Sequence, residues 1–166
     1  MHIRVLGAHL PRLDQAGILK FIQEDVERFK KTLFELIGSG TINRDRQDIE
    51  DRALELPEEL DYDLQRCAVF ELEITGNETS FDPSEYGNPD TGGFGWEPAF
   101  LSLDGTALVT EVFKAPASLR DFRVAFYVHD WELPGRLIGP GGELALPPFS
   151  PVPERLWKLA PYSCVD

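Results

Sequence analysis

At 166 residues, with 42% hydrophobic and 11% aromatic side chains, the chain has the composition of a single folded domain, 1–166, able to bury one sizeable core. Lys and Arg number 16 against 29 Asp and Glu, a net charge of −13. A field of that sign repels phosphate backbones and anionic lipid surfaces, which argues against direct nucleic-acid and membrane binding and favours a basic protein partner.

Residues 2–8 (His-Ile-Arg-Val-Leu-Gly-Ala) alternate well enough for a first strand. Arg4, Pro11 and Asp14 break up the apolar start, which argues against a secretory signal. No apolar run approaches the ~20 residues of a membrane span. The expected location is cytoplasmic, with Cys67 and Cys164 as reduced thiols and no CxxC pair for structural zinc.

Asp14 is placed to cap a long amphipathic helix over 14–37. Ile18, Ile22, Val26, Phe29, Leu33 and Leu36 recur along one face, and Gly38 ends it. Phe21 and Phe34 lie off this stripe, as they do in a helix buried on two sides or at an oligomer seam. Asn43 is read as the cap of a shorter surface helix from Arg44 to about Glu55, stopped by Pro57. This helical part, 1–60, precedes a mainly β part, 61–166.

From Arg66 the period changes to two. Ala68, Phe70, Leu72 and Ile74 form one face of a strand, with Val69, Glu71 and Glu73 pointing outward. A long loop, 76–98, follows. Residues 100–109 read as a hairpin turning at Asp104-Gly105. Phe122 to Trp131 is the clearest strand, its Phe122, Val124, Phe126 and Val128 opposite Arg123, Ala125, Tyr127 and His129. Seven of the 13 prolines (134, 140, 147, 148, 151, 153, 161) make the C-terminal segment extended, with a turn at Gly141-Gly142 and a short helix from about Pro153. The sum is an α+β domain in which helix 14–37 packs on a four- to six-stranded, mainly antiparallel sheet. The polar face of that sheet carries Glu71, Glu73, Arg123, Tyr127 and His129.

The charge is one-sided. Residues 1–54 hold nine acids and nine bases, whereas 55–104 hold thirteen acids and one base, Arg66, so this stretch alone carries −12. Within it, the loop offers Phe81, Asp82, Glu85, Tyr86, Asp90, Trp96 and Glu97, aromatic anchors in an acidic rim such as protein interfaces use. With Glu71 and Glu73 these are the candidate partner-binding residues; the bland alternative is that the aromatics pin the loop onto the sheet. Asp82, Glu85, Asn88 and Asp90 supply oxygen atoms, but no EF-hand pattern surrounds them, so no metal and no cofactor is expected. His129, with Arg123 and Tyr127, forms an alternative ligand face. Adjacent strand residues point to opposite sides, which leaves Glu71 or Glu73 rather than Asp130 as the partner of its ring. There is no nucleophile elbow, P-loop or dinucleotide fingerprint.

The expected function is therefore non-enzymatic: an acidic inhibitor or immunity-type module occluding a basic partner such as a toxin enzyme or a nucleic-acid-binding protein. The alternatives are a small hydrolase-like enzyme using His129 with a carboxylate, and a structural or assembly subunit whose acidic stretch keeps it in solution.

Overall fold

A strand buried on both faces needs apolar residues at successive positions, and this chain supplies them twice. In the computed structural model, residues 2–76, 81–90, 93–110, 120–129 and 135–159 are described, without the side chains of residues 94, 96, 97 and 110. The class is α+β. Four long strands form the spine of one sheet: β1 (His2–His9), β2 (Cys67–Thr75), β4 (Gly93–Leu101) and β6 (Phe122–His129). Shorter strands extend it: β3 (Gly87–Asn88), β5 (Leu108–Thr110), β7 (Leu137–Gly139) and β8 (Gly142–Leu144). The order is β1-β2-β6-β4-β3-β7-β8, with β5 on the end of β4, and every strand pair is antiparallel. Phe70 lies opposite Phe126 in the central β2–β6 pair.

The first helix, α1 (Gln15–Gly38), forms where its stripe and cap place it, and the Asp14 carboxylate accepts from the Gly17 N–H at 2.9 Å. The second, α2 (Arg46–Leu64), is longer than expected. Asp45 rather than Asn43 caps it, accepting from the Gln47 N–H at 2.9 Å. It continues through Pro57 for two further turns because Ile49, Ala53, Leu56, Leu60 and Leu64 make one buried stripe at helical spacing. Proline gives no N–H to the carbonyl of Ala53, but burying three leucines, at roughly 1.5–3 kcal/mol each, outweighs one lost hydrogen bond. A short third helix, α3 (Glu154–Leu159), follows the proline-rich segment.

The two faces of the sheet are covered differently, and this corrects the expected arrangement. The helices lie on the face of Val69, Ala99, Leu101 and Ala125, not on the phenylalanine face. Small side chains there leave room for helix backbones. Val69, expected to point outward, is fully buried beneath them. The opposite face, with Phe70, Leu72, Phe100, Val124 and Phe126, is closed by Phe81 and Tyr86 and by Leu137, Leu144, Leu146 and Phe149 of the C-terminal segment. Phe21 and Phe34 also find partners within the chain: Phe21 meets Trp157 of α3 at 5.5 Å between ring centroids, and the Arg46 guanidinium lies over the Phe34 ring at 5.2 Å.

At the hairpin the turn is wider than two residues. The Asp104 carboxylate accepts from Ser102 Oγ (2.6 Å), Thr106 Oγ1 (2.7 Å) and the Thr106 N–H (3.0 Å), and these bonds hold its pKa down at about 2. Gly105 takes a φ of 74°, the left-handed conformation that favours glycine.

Replacing Pro57 by Ala restores a donor to the Ala53 carbonyl. The expected result is a stabilisation of about 1–3 kcal/mol, read from the urea midpoint at unchanged slope. A lower midpoint would mean that the Pro57 ring itself contributes to the packing of α2.

Candidate functional site

The residues between β2 and β4 are less open than their composition implies. A 3-10 turn (Pro83–Glu85), β3 and the first half of β4 occupy much of what reads as loop. The Asp82 carboxylate caps that turn, accepting from Ser84 N (3.0 Å) and Ser84 Oγ (2.7 Å). Phe81 stacks on Tyr86 at 4.8 Å, and both rings pack on Phe126 at 5.8 and 5.9 Å. Two of the aromatic anchors are thus core side chains, closing the phenylalanine face rather than offering themselves to a partner. Burial, and then Glu85 beside it, push the Tyr86 hydroxyl up to about 12. Asp90 faces Arg136 at 3.4 Å, and Arg136 forks onto Glu143 at 2.9 and 3.1 Å. Glu85 is exposed, whereas the side chains of Trp96 and Glu97 lie outside the described residues, as do Asp130 and Cys164.

Glu71 is also withdrawn from the surface, at 2% exposure. Its strand position turns it to the helix side, where α3 brings Arg155 onto both carboxylate oxygens at 2.5 and 2.6 Å. Arg123 stands 3.7 Å away, and Arg155 also donates to the carbonyl of Gly105 at 3.2 Å. His9 lies in the same layer, over Gly7, which pairs with Glu71; a Cβ at Gly7 would strike the imidazole. His9 Nδ1 is 2.9 Å from Ser150 Oγ, while its Nε2 is buried without a hydrogen-bond partner. Burial lowers the His9 pKa; Glu71 opposes this, and Arg155 adds to it. Glu73, further along β2, pairs with Arg4 at 3.2 Å.

The alternative ligand face is not an open face. Arg123 belongs to the Glu71 layer and Tyr127 packs against the helical core. His129 is half-buried at the end of β6, and its carboxylate neighbour is Asp63 of α2, at 3.4 Å from Nε2, in place of Glu71 or Glu73. Cys67, in register with His129, is buried, and burial pushes its thiol far above the ordinary range, holding it protonated. Among the described residues, no three His, Cys, Asp or Glu side chains converge as a metal site would require.

The exposed acids gather elsewhere. From Ala53 to Leu64, α2 carries Glu55, Glu58, Glu59, Asp61 and Asp63 and no base. Leu54, Glu55, Glu58, Glu59, Tyr62 and Asp63 line a shallow depression on its outer side. Leu54 is 81% exposed and Tyr62 41%. Arg52 reaches along two turns of the helix to Glu59, at 2.7 and 2.8 Å, which lowers the Glu59 pKa. The Arg66 guanidinium stacks on Tyr62 at 3.7 Å. These acids belong to the charged stretch counted from sequence, but ending the helix at Pro57 hid the common face of Glu55, Glu58, Glu59 and Asp63. The leucines at 56, 60 and 64 were the signal for it.

No family model, curated protein or solved structure matches this chain.

Two outcomes check this placement. Truncating Phe81 to Ala is expected to cost about 3–5 kcal/mol of stability, as for other buried phenylalanines; a change under about 0.5 kcal/mol would return Phe81 to the surface. Because the folded state holds His9 below its unfolded pKa of 6.5, the unfolded chain binds the extra proton first as pH falls below that value. Stability is therefore expected to decline from there down to the folded pKa. A pH series of urea midpoints should fall less steeply over that window in His9→Gln than in the parent; parallel curves would contradict it.

Proposed function

We propose that this chain is an acidic protein-binding module that engages and occludes a basic partner through the outer face of α2. The observation that carries the reading is the run of five carboxylates from Glu55 to Asp63, without a base among them, around the exposed Leu54. Carboxylates in an array speed encounter with a positively charged surface, and exposed apolar groups at its centre slow release. A toxin enzyme or a nucleic-acid-binding protein has the basic cleft such a surface fits, which makes an inhibitor or immunity-type role in the cytoplasm the best reading. Glu71, Phe81 and Tyr86 serve the fold, and Asp90 is paired with Arg136.

One observation favours a second reading. The His129–Asp63 pair, at 3.4 Å, sits beside the same depression, and a histidine oriented by a carboxylate is the minimal general base of a small hydrolase.

The test is capture from lysate of the source organism on two columns, one carrying the native chain and one a variant with Glu55, Glu58, Glu59 and Asp63 changed to Lys. A basic protein held by the first and lost from the second is the expected result. Its association rate should fall at least about tenfold from low to high salt. A partner retained equally by both columns, or a rate flat in salt, would sink the α2 reading. Loss of a hydrolytic activity in His129→Ala, with capture unchanged, would establish the second.

A further inference from the structure

Helices α1 and α2 pack side by side, but their ridges do not fill the space between them on the outer side. A groove of about 410 Å³ remains, with Ile18, Leu19 and Ile22 of α1 on one wall and Pro57 of α2 on the other. Ile18 and Ile22 form a buried floor, whereas Leu19 is 58% exposed on the rim. The α2 rim carries Glu58 and Asp61. Leu54, one turn before Glu58, continues the same line into the neighbouring depression, which also contains Glu58. Among the described residues no ion pair engages Glu58, and Asp61 accepts only from Gln65, at 3.1 Å. Apolar wall, exposed leucines and acidic rim therefore run together along the helix axes.

We propose that this groove seats an amphipathic helix of a basic partner. The inference rests on the α2 reading above and specifies the partner's chemistry. Apolar side chains one turn apart enter between Leu19 and Pro57, and flanking Lys or Arg reach Glu58 and Asp61. A helix suits the site because grooves between helices accept side-chain ridges at helical spacing. An extended segment finds no strand edge here, since helix backbones satisfy their own hydrogen bonds within the element. A second copy of the chain is a poor occupant. Every copy carries −13, and the α2 rim would meet acids with acids.

The probe is a synthetic peptide of about five helical turns, built only of Leu and Lys at helical period. Its control is an isomer of identical composition rearranged to alternate, as a strand does. Fluorescence anisotropy gives affinities, and amide chemical shifts locate the contact. The helical peptide should bind at least about tenfold more tightly than the isomer and shift amides of residues 15–22 and 54–61. Leu19→Asp is the decisive variant, because the side chain is exposed and the change adds a negative charge. Charge attraction alone predicts tighter binding of a basic peptide, whereas the groove predicts weakening by about tenfold or more. Glu58→Gln with Asp61→Gln should weaken binding several-fold and flatten its salt dependence.

Equal binding of the two peptides, or tighter binding by Leu19→Asp, overturns the groove and leaves the acidic α2 face standing. Failure of the helical peptide to bind also overturns the groove. The lysate columns decide separately whether the α2 reading survives.

Discussion

The two central strands of this protein have no solvent side. In β2 and β6, phenylalanines and aliphatics fill one face, and valine, alanine and cysteine lie under helices on the other. Everything else answers to the need to cover both. The helices take the face with the smaller side chains, where their backbones can approach. The larger side chains project to the opposite face, which the chain closes with Phe81 and Tyr86 and with the hairpin and extended segment after residue 136. What remains open is the outer surface of that wrapping, where the second half of α2 carries five acids and no base.

A carboxylate in the middle layer is one of the buried polar demands of this arrangement, with Asp25, His9 and Asn88. Glu71 occupies a position that the apolar pattern would give to a valine or an alanine, and it is retained by a two-pronged contact from Arg155 with Arg123 close by. Removing one partner of such a pair leaves a charge buried without compensation, which costs more than the pair contributes. Glu71 thereby fixes where α3 sits, and α3 in turn presents Trp157 to Phe21 of α1. The polar layer and the helical core are mechanically one unit.

Local chemistry carried some of these features into the sequence, and tertiary packing concealed others. The Asp14 cap and the 3.6-residue stripe made α1 legible to within a residue of each end. Alternation made β2 and β6 legible, but it assigned Val69 and Glu71 to solvent because alternation records polarity and not coverage. Pro57 argued locally for a helix end, and only the packing of Leu56, Leu60 and Leu64 overrides it. Phe81 and Tyr86 lay among Gly, Asn, Asp and Pro, the vocabulary of loops, and nothing in a linear reading places them over Phe126. The candidate surface was legible as charge and illegible as geometry, for the same reason that α2 was cut short.

Closure of the phenylalanine face joins distant parts of the chain. The parallel bridge between His9 and Ser150 spans 141 positions; on the helix side, too, Arg155 reaches Glu71 across 84. During synthesis, α1 and α2 can pair as soon as they emerge, since their contacts are close in sequence. The aromatic side of the sheet must wait until almost all of the chain has left the ribosome. In that interval Phe70, Phe100 and Phe126 are sticky surface in an otherwise advancing fold, the state in which nascent β proteins aggregate. A net charge of −13 keeps such half-built copies apart. The acidity proposed to draw a basic partner also guards the chain while it is being made.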